Sequence, residues 1–345
     1  MTIPTILTGL RANNDLQIGN YFGAMLPIID MAKTKSNEHQ VNMFIPDLHS
    51  FTTPIDHSQL YDQVMHNARL FVAAGLPLDN ETIHLYRQSY IPAHSELTWI
   101  LDCFTGFGEM HRMVEFKNKS AKVGDERVSV GLFNYPILMA ADILLYNAEY
   151  VPVGDDQRQH LEFARDIAER MNSRFGELFV VPKSVKEQHE FFGKDQGLRI
   201  MDLQNPTKKM SKSDDSSKGV IFLGDKPDEA AKKIMAATTD DKAEVRFDRA
   251  HQPGISNLLE ILALLRGSDL QQIIGEFEGH TRYGDFKQTV ANEMKQFLTD
   301  FQARLAAVDD TAIMAKLESS EQAMNEIANT TLLRVQQAIG LRPKG

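Results

Sequence analysis

At 345 residues, 42% apolar and 24% charged, the chain is long enough to bury a large core and to form two domains. No run approaches the roughly 18 apolar residues of a membrane span, and the start "MTIPTILTGLRANND" lacks the basic residues and long apolar stretch of an export signal; a cytoplasmic location with no membrane partner is expected. The single cysteine, Cys103, excludes an internal disulfide and any cysteine-rich metal site, and it is read as a buried core thiol.

In chain order, "PTILTGL" reads as a short buried strand ending at Gly9, followed by the polar turn "RANNDLQ" and a helix over "GNYFGAMLPIIDMAKT". "VNMFIPDLHSF" reads as a second buried strand, "HSQLYDQVMHNARLFVAAGL" as an amphipathic helix and "TIHLYRQS" as a third strand. Strands alternating with helices predict an α/β fold with a Rossmann-like parallel sheet, whose ligands sit at the C-terminal strand ends. From His94 to Phe175 the pattern is a mostly helical insertion, broken by "KVGDERVSVG" and by "EYVPVG", one more strand entering the helix "DDQRQHLEFARDIAERMNSRFG". After the brief strand "VIFLGD", nearly everything from Asp228 is helical, with apolar residues three and four apart. A boundary near Gly219 divides the chain into an α/β domain, 1–219, and an all-helical domain, 220–345.

A net charge of −10 argues against general affinity for nucleic acid, yet two runs are locally basic: "HRMVEFKNKSAKVG" from His111, and "NPTKKMSKSDDSSKG" over 205–219. Each also fits a solvated surface run. In the second, Lys209 and Lys212 are flanked by serine hydroxyls and suit a polyphosphate whose charge grows as pyrophosphate departs. In "LQIGNYFGA", Gly19 lets a ligand approach the backbone and Asn20 is a good helix N-cap, so phosphate or a plain strand-turn-helix junction fits. Asp142 is the only charge inside "NYPILMAADILLYN"; it shares a helix face with Leu138, Met139, Leu145 and Tyr146 and needs a donor, either a ligand such as an indole N–H or a group elsewhere in the chain. "VPVGDDQRQH" repeats the pattern: a strand ends in Gly154, Asp155 or Asp156 caps the next helix, and Gln157 lies one turn in. His49 stands where the second strand ends over the site.

"KMSKS", Lys209 to Ser213, matches the second signature of the class I aminoacyl-tRNA synthetases. "GNYFGA", "FKNKSA", "YPILMAADILLYNAEYVPVGDDQRQHLEFARDIAERMN", "MDLQNPTKKMSKS" and "PGISNLL" resemble the bacterial members specific for tryptophan, in order along most of the chain. The resemblance implies activation of L-tryptophan with ATP and Mg2+ to an adenylate, then transfer to tRNA(Trp), by a homodimer whose helical C-terminal domain meets the anticodon. It implies that Asp142 accepts the indole N–H, that Met139, Leu7 and His49 line the ring pocket, and that Tyr135 and Gln157 hold the ammonium and carboxylate. Gly19, Asn20, Gly154, Asp155 and Asp156 would lie against ATP and Ile200 beside its adenine. Lys119, Lys209, Ser211 and Lys212, with Met210 and Ser213 in the same loop, would steady the phosphates, and Mg2+ would arrive on ATP without a protein ligand. The first signature departs from the family pattern. Arg11, Ala12, Asn13 and Asn14 replace the usual Gln-Pro-Ser/Thr-Gly at this ATP-facing turn, and Gln17 replaces a His or Thr. A tyrosine-specific relative and a non-catalytic binder of tryptophan or tRNA are the alternatives.

Overall fold

Three parallel strands, β1 (Thr5–Gly9), β2 (Gln40–Ile45) and β3 (Ile83–Arg87), lie in the order β1-β2-β3, with Thr5 opposite Gln40 and Val41 opposite Ile83. The computed structural model describes the whole chain except residues 1–2, 11–15, 53, 124–127, 153, 155–156, 194–198, 212–216 and 345, and the side chains of 119 and 121–123. Between β1 and β2 run α1 (Ile18–Asn20), a π turn over Tyr21–Met25 and α2 (Leu26–Lys35). After β2 come α3 (Asp47–Ser50) and α4 (Leu60–Ala73). The middle of the chain is helical: α5 (Ala93–Asp102), α6 (Phe107–His111), α7 (Val114–Val123), α8 (Val130–Leu144), α9 (Arg158–Phe175) and α10 (Val185–Phe192). So is the end: α11 (Pro227–Met235), α12 (Pro253–Arg266), α13 (Leu270–Phe277), α14 (Tyr283–Ala306) and α15 (Asp310–Ala338).

The strands are buried along most of their length and mainly apolar because both faces are covered. Alternate residues enter separate cores: Ile6, Met43 and Leu85 face a core shared with α2, α4 and the C-terminal helices, while Leu7, Phe44 and Tyr86 face one shared with α5, α8 and α9. The free edge of β3 is covered by α15. Leu85 N–H donates to Ser320 Oγ (3.1 Å) and Arg87 N–H to Glu321 Oε1 (3.1 Å), and the Arg87 guanidinium pairs with the same buried carboxylate at 2.6 and 2.8 Å. The donors that an edge strand would expose to solvent are thereby satisfied.

Several local expectations change. "EYVPVG" contributes one bridge, Tyr150 to Ile6, because Pro152 has no N–H with which to continue a ladder. "VIFLGD" likewise supplies one bridge, Phe222 to Gln17, before turning at Gly224. The second strand stops at Ile45, since Pro46 breaks the ladder and α3 begins. Cys103 is exposed, not buried: it follows the last turn of α5 at the end of the helix. Asn20 lies inside α1, and the N-cap position belongs to Gln17. Gln157 is itself the N-cap residue of α9 and is not one turn inside it.

Candidate active site

A cavity of about 450 Å3 opens at the C-terminal ends of β1 and β2, where ligands of parallel sheets bind. Leu7 and Gly9 of β1, Phe44 of β2 and His49 of α3 form one side; Tyr135, Met139 and Asp142 of α8 form the other. Gly154 and Gln157 close one end. Ser129 caps α8 by accepting from Leu132 N–H at 3.0 Å. The helix is apolar nearly all round and buried, so its one carboxylate is carried into the second core.

Asp142 is 1% exposed. Its Oδ1 accepts from Gln88 Nε2 at 2.7 Å and His94 Nδ1 at 2.6 Å, and its Oδ2 from His49 Nε2 at 2.9 Å. A carboxylate offers four acceptor positions; among the described residues three are used, and the fourth is on Oδ2 at the cavity. Because the carboxylate only accepts, His94 presents Nδ1–H to it, and His94 Nε2 lies 2.8 Å from the Tyr146 hydroxyl. Burial pushes the Tyr146 phenol well up, so the hydroxyl keeps its proton beside that nitrogen. Burial also tends to raise Asp142, but hydrogen bonds from His49 and His94, with the field of those rings, outweigh it and hold the carboxyl down at about 2. Its folded pKa is depressed, so the stability it contributes is present above the ordinary carboxylate value and is lost only as pH falls through about 2. The group is an ionised, desolvated acceptor at neutral pH, suited to a ligand with one apolar N–H.

The two signature segments also meet one another. Ile18 N–H donates to Ile221 O (3.0 Å) and Leu223 N–H to Leu16 O (2.8 Å), lacing the start of α1 to the chain just after the lysine-serine loop. That loop leaves and returns at one point, where Leu203 N–H donates to Gly219 O at 2.9 Å. Glycine is required there, since a Cβ on Gly219 would run into the Asp202 carboxylate. The family model described as tRNA synthetases class I (W and Y) matches residues 3–299. The chain is 45% identical over 340 residues to a tryptophan-tRNA ligase of Leifsonia xyli subsp. xyli, covering 98% of this chain and 97% of that protein. It is 41% identical over 336 residues to one of Caldanaerobacter subterraneus subsp. tengcongensis, covering 97% and 98%. The chain belongs to the tryptophanyl-tRNA synthetases. A solved tryptophanyl-tRNA synthetase from Mycoplasma pneumoniae superposes with a TM-score of 0.82 at 32% identity over 99% of each chain. One from Campylobacter jejuni, complexed with ADP and tryptophan, gives 0.79 at 29% over 97% of this chain and 99% of that one. The chain is therefore an aminoacyl-tRNA synthetase with the Rossmann-like class I fold and a helical C-terminal part.

Against this synthetase frame, the structure brings together every residue the sequence assigned to tryptophan: Leu7, His49, Tyr135, Met139, Asp142 and Gln157 all line the cavity. Of the residues assigned to ATP, Gly154 lines its mouth, while Gly19 and Asn20 sit at the start of α1, half-buried and exposed. Ile200 buries its side chain in the first core and is joined to the loop by Met210 N–H donating to Ile200 O at 3.1 Å. Lys209 is exposed and Met210 is 1% exposed. Arg11, Ala12, Asn13, Asp155, Asp156, Lys212, Ser213 and the side chain of Lys119 lie outside the described residues. A larger cleft of about 1040 Å3, beside Phe22, Met201, Pro206 and Asn257, holds none of the candidate residues, and its buried acid, Glu260, is paired with Arg249.

Sequence reasoning missed Gln88, His94 and Tyr146, the polar scaffold behind Asp142. The signal was faint but present: Gln88 is a polar residue directly after a buried strand, and His94 follows it in "QSYIPAH". An isolated buried acid requires such donors.

Proposed function

We propose that this chain activates L-tryptophan with ATP and transfers it to tRNA(Trp), with the substrates oriented by the cavity and by the two signature segments. The observation that carries the reading is Asp142: buried, ionised, held by three donors and left with one acceptor position toward a cavity of about 450 Å3. Asp142 Oδ2 accepts the indole N–H, while Leu7, Met139 and His49 flank the ring. Tyr135 and Gln157 hold the amino-acid head. The tryptophan carboxylate then attacks the α-phosphorus in line, a reaction that needs orientation and charge stabilisation and no nucleophile from the protein. Gly19, Asn20, Gly154, Asp155 and Asp156 lie against ATP, which brings its own Mg2+. Ile200 meets adenine through its backbone, because its side chain is in the core. Lys119, Lys209, Ser211 and Lys212 take up charge on the leaving pyrophosphate.

The enzyme works in the cytoplasm as a homodimer, with residues 1–219 as catalytic domain and 220–345 as anticodon-binding domain. The dimer reading is supported by Trp99, Phe107 and Val130, which are 71%, 72% and 81% exposed on the packed helices α5, α6 and α8. So much apolar surface on adjacent helices suits an interface. Labelled pyrophosphate exchange into ATP tests the function: exchange that requires tryptophan supports it, whereas exchange driven by tyrosine, or none with any amino acid, contradicts it.

A further inference from the structure

Met210, in the middle of the lysine-serine loop, is fastened three ways. Its side chain is buried in the first core, its N–H donates to Ile200 O at 3.1 Å, and its carbonyl accepts from Gln17 Nε2 at 2.8 Å. The third fastening is the one made by a side chain of the first signature, 193 residues away in the chain. The orientation of the Gln17 amide is fixed by this contact, since a carbonyl can only accept and the NH2 must face it. Gln17 is 5% exposed, and its Oε1 has no hydrogen-bond partner among the described residues. The other contact of its Nε2 is a long one, 3.5 Å to Asn20 Oδ1. Gly19 leaves room for the amide, because a Cβ there would lie 3.0 Å from Oε1.

We infer that Gln17 is a positioning residue for the second signature: its amide clasps the Met210 carbonyl and so fixes where the flanking Lys209 and Ser211 stand relative to Gly19 and Asn20. The side chain is the right length and carries a donor, whereas the His or Thr that the family resemblance places here has a different reach. An amide with one short hydrogen bond and one long one is also easily exchanged, so the clasp couples the two signatures without locking them. This rests on the activation reaction proposed above, and acts on its nucleotide half alone.

The test uses the full-length protein with Gln17→Glu, which keeps the shape but turns an acceptor toward the Met210 carbonyl, and Gln17→Met, which keeps the length and removes the donor. Tryptophan-dependent pyrophosphate exchange should fall by about 10- to 100-fold in both, through the ATP KM and kcat. Tryptophan affinity by equilibrium dialysis should stay within about twofold, and tryptic cleavage in 205–219 of the ATP-free protein should quicken. Gln17→His, restoring a donor, should recover part of the exchange. Parent-level exchange in both the Glu and Met variants, or an equal loss of tryptophan affinity, overturns the inference. An absence of exchange in the unaltered protein would instead strike the functional reading on which it rests.

Discussion

Asp142 is buried and receives three hydrogen bonds from side chains, whereas Lys209 is exposed and the fastened group beside it is the backbone of Met210. On the proposed function the two regions serve one reaction with opposite physics. Recognition of an indole needs an acceptor whose desolvation has already been offset by the protein, so that an analogue without the donor leaves it unpaired. Stabilising a departing pyrophosphate needs cations that can follow charge as it shifts, which a rigid buried network would prevent. On that reading the tryptophan end is assembled from β1, α3, α5 and α8 inside a core, and the nucleotide end from the start of α1 and a loop tied at its base.

The sharpest way to break this comparison is at the cationic end. Lys212→Ala should slow activation by about 10²- to 10³-fold, as for other contacts made to transition-state charge, with tryptophan affinity unchanged; rapid-quench measurement of adenylate formation checks it, and a loss confined to tryptophan binding would merge the two regions into one. A smaller effect is expected from Tyr146→Phe, which removes the hydroxyl hydrogen-bonded to His94 Nε2 behind Asp142. It should weaken tryptophan binding by about tenfold and leave ATP binding alone, the mirror image of the lysine variant. Smallest is an effect that belongs to neither end. Burial, helped by the charge of Lys316, lowers His84 to about 4, so the folded state resists its protonation. Stability is then fully present above the unfolded value of 6.5 and is lost as pH falls from there toward about 4. His84→Gln should flatten that part of the stability profile by about 1–2 kcal/mol, allowing for partial exposure, in urea titrations across pH. Asp142, held at about 2, should contribute no such slope between pH 8 and 5.

Much of the fold was legible in the sequence, because strands covered on both faces read as short, mainly apolar runs and the helices carry clear periodicity. What failed were short segments decided by one residue: Pro152 cut a strand to a bridge, and the end of α5 turned Cys103 outward. At the site, Asp142 stood out as a lone charge in "LMAADILL", and the lining residues followed from the family resemblance. Two of its three partners did not stand out: Gln88 and His94 lie 54 and 48 residues away and converge on it only once the sheet packs on α8, whereas His49, 93 residues away, was expected at the site but not as a donor to Asp142. The Gln17 clasp on Met210 was equally hidden, since a single amide across 193 residues leaves no local pattern.

The most direct test of the account is the binding of L-tryptophan to Asp142→Asn, measured by equilibrium dialysis beside the binding of ATP. The amide turns an NH2 toward a site crowded with donors and weakens the acceptor. Tryptophan affinity should therefore drop by about 10²-fold or more while ATP affinity stays within about twofold. Undiminished tryptophan binding would contradict it.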